Sequence, residues 1–86
     1  MKLFVAGLPL GLDDDQLHNI FSGYGTVKSA TVVFNREARV SKGFGFVEFS
    51  APAEGDAAIR ALNGEEIEGK VLTVRMADDK SYLRRK

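Results

Sequence analysis

Residues 42–49 read KGFGFVEF, and this stretch constrains the fold more than any other part of the chain. Side chains alternate between the two faces of a β-strand. One face of this strand would carry Lys42, Phe44, Phe46 and Glu48. Because unpaired buried charges are costly, the charged residue at each end marks this face as the exposed one. The stretch therefore predicts a sheet that shows aromatic rings to solvent.

The segments before this strand predict one further strand on either side of a helix. The apolar run LFVAGL at residues 3–8 predicts the first strand. A helix is expected next, because Asp13 and Gln16 have the spacing of a capping box and apolar residues then recur at helical intervals. The glycines within residues 23–25 are expected to end it. The β-branched run VKSATVVF at residues 27–34 predicts the second strand.

The remaining segments predict a second helix and a fourth strand. Residues 35–43 form a polar, basic connection that leads into the third strand. A helix is predicted to begin near Pro52 and to end at the Asn-Gly pair that starts at residue 63. The run KVLTVRMA at residues 70–77 then predicts the fourth strand.

The predicted order is β-α-β-β-α-β, which belongs to the α+β class. Two helices and four strands in this order build a ferredoxin-like βαββαβ sandwich, with a four-stranded antiparallel sheet and both helices on one face. Right-handed crossovers would place the first and third strands side by side in the middle of the sheet. We expect residues 1–77 to form one domain and residues 78–86 to form a basic C-terminal tail. Apart from this tail, the chain has nothing left to cover the second face of the sheet.

Alternation also predicts which residues of the outer strands share this open face. Lys2 and Phe4 would lie on it in the first strand, and Thr73 and Arg75 in the fourth. The face would then hold three phenylalanines at its centre, bordered by cations. Solvent-exposed aromatic rings do not stabilise the folded domain, so their presence on this face favours a binding role.

At this point the residues resemble the RNA recognition motif (RRM) family. KGFGFVEF, Lys42–Phe49, matches the first ribonucleoprotein signature of that family at every defined position. LFVAGL, Leu3–Leu8, is similar to the second signature, although it has Gly7 where the family usually has asparagine. The resemblance covers residues 2–77, nearly the whole chain. Two signatures in the correct order, within a matching pattern of elements, make the resemblance specific.

The resemblance implies that the chain binds single-stranded RNA, with two or three bases stacked on the open face and the phosphates beside Lys42. Single-stranded DNA is an expected further ligand, and a role as RNA chaperone or post-transcriptional regulator follows by analogy. Two arginines of the loop between the second and third strands are also expected to contact the RNA. The predicted RNA-binding residues are Phe4, Phe44, Phe46, Lys42, Lys2, Arg75, Thr73, Arg36 and Arg39. Gly43 and Gly45 are expected to allow the helices to approach the buried face of the third strand closely.

The net charge of zero agrees with this interpretation once the charges are mapped. Residues 13–24 carry a net charge of −3 and residues 50–68 one of −4, so the remaining residues carry +7. The helical layer is therefore predicted to be acidic and the sheet side basic. Such an asymmetry could orient an approaching nucleic acid.

The alternative hypothesis is a protein–protein interaction module that uses the same fold, through its acidic helices or its exposed phenylalanines. An enzyme is not expected, because no nucleophile–base pair is legible and a helix cap explains Asp13–Asp15 without a metal ion. We expect no cofactor, no membrane contact, and a monomer. The chain has no cysteine and is expected to be soluble and cytoplasmic, or nuclear in a eukaryote. Its short, single-domain form resembles bacterial members of the family.

Overall fold

The computed structural model describes residues 1–35, 37 and 40–77, and the side chains of all of these except 34, 35 and 40–42. The predicted tail and the loop residues Arg36 and Arg39 lie outside the described residues. The elements, in chain order, are β1 (Lys2–Ala6), α1 (Asp14–Ser22), β2 (Val27–Asn35), β3 (Val40–Phe49), α2 (Pro52–Leu62), β4 (Glu66–Ile67), β5 (Lys70–Val71) and β6 (Thr73–Met76).

Four of these strands form one antiparallel sheet in the order β2-β3-β1-β6. The first and third strands lie in the middle, and the prediction from crossover handedness is confirmed. Both helices pack on the same face, because buried residues of α1 and α2 share one core with buried residues of β1 and β3. The predicted α+β, ferredoxin-like sandwich is confirmed.

The first helix begins where the aspartate run predicts it. Asp13 Oδ1 accepts a hydrogen bond from the Gln16 backbone N–H at 2.8 Å, and Gln16 Oε1 accepts one from the Asp13 N–H at 3.0 Å. The next aspartate has a different task, since Asp14 Oδ1 accepts a hydrogen bond of 2.7 Å from the Val32 N–H in β2. The start of α1 is therefore stabilised by its own capping box and is also joined to the sheet.

The second helix is fixed at its end rather than at its beginning. Pro52 opens it, and Ala51 at the N-cap provides no side-chain hydrogen bond. Asn63 ends it, and Asn63 Oδ1 accepts a hydrogen bond of 3.0 Å from the Val74 N–H in β6. The Asn-Gly pair therefore stops the helix and also joins it to the edge strand.

The predicted fourth strand at residues 70–77 is not continuous in the structure. Its first two residues, β5, pair with β4 in a separate two-stranded sheet, and only β6 pairs with β1. Glu68 and Gly69 form the turn between β4 and β5, both with positive φ (50° and 82°), as a two-residue hairpin turn of type I′ requires. This hairpin was not predicted, because Glu-Gly is a weaker turn signal than Asn-Gly.

The core lies between the sheet and the helices and is almost entirely aliphatic, with two aromatic rings. Phe21 of α1 and Phe49 of β3 are both fully buried, and their ring centroids lie 6.3 Å apart. Neighbouring strand residues that point the same way, Leu3, Val5 and Val47, are fully buried as well. The helix-facing side of the sheet therefore agrees with the alternation read from the sequence. No helix among the described residues has the length and apolar character that crossing a bilayer requires.

The expectation that Gly45 makes room for a helix is wrong. A Cβ at this position would collide with the Thr31 carbonyl oxygen and would lie 3.1 Å from the Val32 Cα, both in the backbone of β2. The close neighbour is therefore the adjacent strand and not a helix. Gly43 has no such close neighbour, but its φ of +83° favours glycine.

Candidate nucleic-acid interface

The open face of the sheet carries one row of side chains that crosses all four strands. Backbone register places Phe46 of β3 beside Thr31 of β2 on one side and Phe4 of β1 on the other. Phe4 is in turn paired with Arg75 of β6. Both phenylalanines are half-buried, in contrast to the fully buried residues that precede and follow them in their strands.

The three predicted rings form one cluster. The ring centroid of Phe4 lies 5.7 Å from that of Phe44 and 5.8 Å from that of Phe46, with interplanar angles of 40° and 60°. These separations fall within the range of favourable aromatic pairs. Phe44 is half-buried, like the other two rings. As strand alternation predicts, the three phenylalanines share one partly exposed surface, which we call the aromatic platform (Phe4, Phe44 and Phe46).

Two cations lie against this platform. The Lys2 Nζ is 5.6 Å from the centroid of the Phe46 ring, and the Arg75 guanidinium carbon is 5.9 Å from that of the Phe4 ring. Both distances are within the reach of a cation–π contact. Positive charge is therefore held at two sides of the rings.

Of the other predicted site residues, the structure describes the side chain of Thr73 but not those of the remaining three. Thr73 is exposed and paired with Ala6 of β1, next to the row that contains Phe4. The side chain of Lys42 and the whole of Arg36 and Arg39 lie outside the described residues, so their predicted contacts stay predictions.

The alternation that predicted the position of Lys42 is interrupted in β3. The pairing with β2 shifts register between Val32 and Phe34, whose partners in β3 are Gly45 and Ser41. Within that interval Gly43 adopts a φ of +83°, and its carbonyl accepts a hydrogen bond of 2.9 Å from the Leu8 N–H. Simple two-residue alternation therefore holds from Phe44 onwards.

Sequence reasoning missed the contribution of the second strand. Ser29 and Thr31 are exposed, and their cross-strand partners are Glu48 and Phe46, so their hydroxyls border the platform. The signal was present in VKSATVVF, where these two residues alternate with Ala30 and Val32, which face the core. A register shift at Lys28 obscures the alternation at the start of this strand.

Gly7, where the second signature departs from the family pattern, has a structural explanation. Its φ is +80°, and a Cβ there would collide with the Val71 carbonyl oxygen of β5. The end of β1 thus approaches the small hairpin so closely that a side chain at this position has no room. The substitution leaves the platform itself intact.

The arrangement defines a class of protein: a βαββαβ sandwich whose sheet face opposite the helices carries clustered aromatic and basic side chains. The sequence profile of the RNA recognition motif matches residues 3–73. The chain therefore belongs to the RNA recognition motif family.

Similar proteins agree with this assignment. Over 80 residues the chain is 42% identical to the mitochondrial glycine-rich RNA-binding protein 4 of Arabidopsis thaliana, a match that covers 93% of this chain and 59% of the relative. It is 41% identical to the chloroplastic 31 kDa ribonucleoprotein of Nicotiana sylvestris, covering 93% of this chain and 25% of that protein. A solved complex of the Sxl-lethal protein with RNA superposes with a TM-score of 0.83 at 35% identity, covering 88% of this chain and 47% of the other. The chain thus spans 59% or less of the length of these three relatives.

Proposed function

We propose that the chain binds single-stranded RNA and that bases stack on the aromatic platform. One observation carries the proposal: on the sheet face opposite both helices, the half-buried rings of Phe44 and Phe46 each lie within 6 Å of the Phe4 ring. Every base has a π-face, and a base stacked on an aromatic side chain gains about 1–3 kcal/mol. Three clustered rings can accommodate two or three consecutive bases.

The bordering cations complete the proposed interface. Lys2 and Arg75 lie against ring faces in the unbound protein, where cation–π attraction holds them. A base that stacks on Phe46 or Phe4 would compete for those faces. The displaced ammonium or guanidinium would then contact the phosphate that follows the base, so positive charge is kept beside the strand throughout.

The names of the similar proteins support this proposal, since they include an RNA-binding protein, a ribonucleoprotein and a complex with RNA. Because the chain matches only part of each, we carry over the binding of RNA and not the other properties of those proteins. Binding of single-stranded DNA, a monomeric state and the absence of enzymatic activity also belong to the proposal. A cytoplasmic location does too, although two of the named relatives are organellar.

The protein–protein interaction module remains the second candidate, because the described part of the helical layer is acidic. Asp15 and Asp56 are exposed on the two helices. A titration of short single-stranded RNA, followed by backbone amide chemical shifts, separates the two functions. We expect the largest shifts in β1 and β3, whereas shifts confined to α1 and α2 would favour the second candidate.

Salt dependence should separate charge from stacking. Two to four cations near the platform can reach phosphates at once, and a single strand releases counterions with a slope of about −0.7 per neutralised phosphate. The logarithm of the association constant should therefore fall with the logarithm of salt concentration at a slope of about −1.5 to −3. Lys2→Gln should make this slope shallower by about 0.7, whereas Phe44→Ala should lower affinity and leave the slope unchanged.

A parent slope steeper than about −4 would mean that the protein binds chiefly as a polycation. A slope near zero with retained binding would mean that Lys2 and Arg75 do not contact phosphates.

A further inference from the structure

One acidic side chain lies on the open face, next to the platform. Glu48 is half-buried and follows Phe46 by two residues in β3, so both side chains point to the same face. Its cross-strand neighbours are Lys2 in β1 and Ser29 in β2. The separation of the Glu48 and Phe46 Cα atoms along the strand is about 6.6 Å, within the span of one stacked base.

This carboxylate has no structural task among the residues that the structure describes. Asp13 caps a helix, Asp14 binds the Val32 N–H and Glu54 Oε1 accepts a hydrogen bond from the Thr26 N–H. No hydrogen bond or ion pair between described residues engages the Glu48 carboxylate. A negative charge on a surface that binds a polyanion repels the phosphates and lowers affinity. The directly opposed Lys2 offsets part of this charge, and a hydrogen-bonding contact with the ligand would offset more of it.

The base edges can supply that contact. An ionised carboxylate only accepts hydrogen bonds, and it accepts two parallel N–H groups best. Guanine alone among the four RNA bases has two adjacent donors on its Watson–Crick edge, N1–H and the N2 amino group. The other three bases offer a carboxylate only one donor group on that edge.

We propose that Glu48 is a specificity-determining residue, which accepts hydrogen bonds from the N1–H and N2–H groups of a guanine stacked on Phe46. The inference rests on the proposed function, since it requires a base on the platform. It predicts a ligand class narrower than single-stranded RNA in general, namely strands with a guanine at the position that stacks on Phe46.

The test uses labelled uridine hexamers in which a single guanosine is placed at each position in turn, with affinity measured by fluorescence anisotropy. We expect one position at which guanosine strengthens binding by about 5- to 150-fold over uridine. Inosine lacks only the N2 amino group, and it should lose most of that gain at the same position. In Glu48→Gln the advantage of guanosine over inosine should disappear, because an amide offers one acceptor oxygen in place of two.

Asp56→Asn is the matched control, because it removes one negative charge from the exposed side of α2 and should leave the guanosine preference unchanged. The inference is overturned if Glu48→Gln raises affinity by the same factor for every hexamer, since the carboxylate then acts only as a repulsive charge. It is equally overturned if the preference for guanosine survives in Glu48→Gln, or if the parent protein binds all hexamers alike. Absence of binding to every hexamer by the parent would instead contradict the proposed function itself.

Discussion

Phe49→Ala is expected to lower the free energy of unfolding by about 3–5 kcal/mol, as for other large-to-small substitutions of a buried phenylalanine. The ring is fully buried, and its centroid lies 6.3 Å from that of Phe21, so truncation leaves a cavity at the contact between sheet and helix. A domain of 86 residues has a thin core and little stability to lose. Chemical denaturation followed by circular dichroism measures the change.

Phe44→Ala is the matched control, because it makes the same substitution in the same strand on the opposite face. Phe44 is half-buried and contacts Phe4, so its removal should cost about 1 kcal/mol, the value of one aromatic pair. Equal destabilisation by both substitutions would show that the assignment of faces is inverted.

Phe44→Ala and Phe46→Ala should each weaken the binding of single-stranded RNA by about 5- to 150-fold, which corresponds to the loss of one stacked base. Folding should persist, because both rings lie outside the core formed between sheet and helices. Isothermal titration calorimetry at one fixed salt concentration measures the change, with circular dichroism to confirm the fold.

Tyr24→Ala provides a control for the loss of an aromatic ring as such. Tyr24 is exposed and follows α1, in the helical layer, so its removal should leave RNA affinity unchanged. Unaltered affinity in both platform variants, or an equal loss in Tyr24→Ala, would argue against stacking on this face.

Much of the fold and of the platform could be predicted because charge and alternation act locally. Glu48 and the buried Phe49 are adjacent, and a strand must place them on opposite faces. The capping box of Asp13 and Gln16 is likewise a local pattern, and the structure contains it as predicted. Element order and crossover handedness then determine the strand order without further information.

What could not be predicted depends on long-range backbone contacts. Gly7 and Gly45 are required by the carbonyl oxygens of Val71 and Thr31, which are remote in sequence. The register shifts of β2 against β3 also depend on pairing between strands, which the sequence of one strand does not contain. For this reason Ser29 and Thr31 were not among the predicted site residues. The sequence of a single strand predicts which side chains share a face of the sheet only where the pairing of that strand is regular.

Stacking of unpaired bases on the aromatic platform can be examined by comparing the affinity of the protein for a single-stranded RNA with its affinity for a duplex of the same sequence. Bases within an A-form duplex are stacked on one another and cannot reach the rings. Affinity of the protein for both ligands, measured at one salt concentration, should be much higher for the single strand. Equal affinity for the two would mean that the protein recognises only the phosphate backbone and that bases do not stack on the platform.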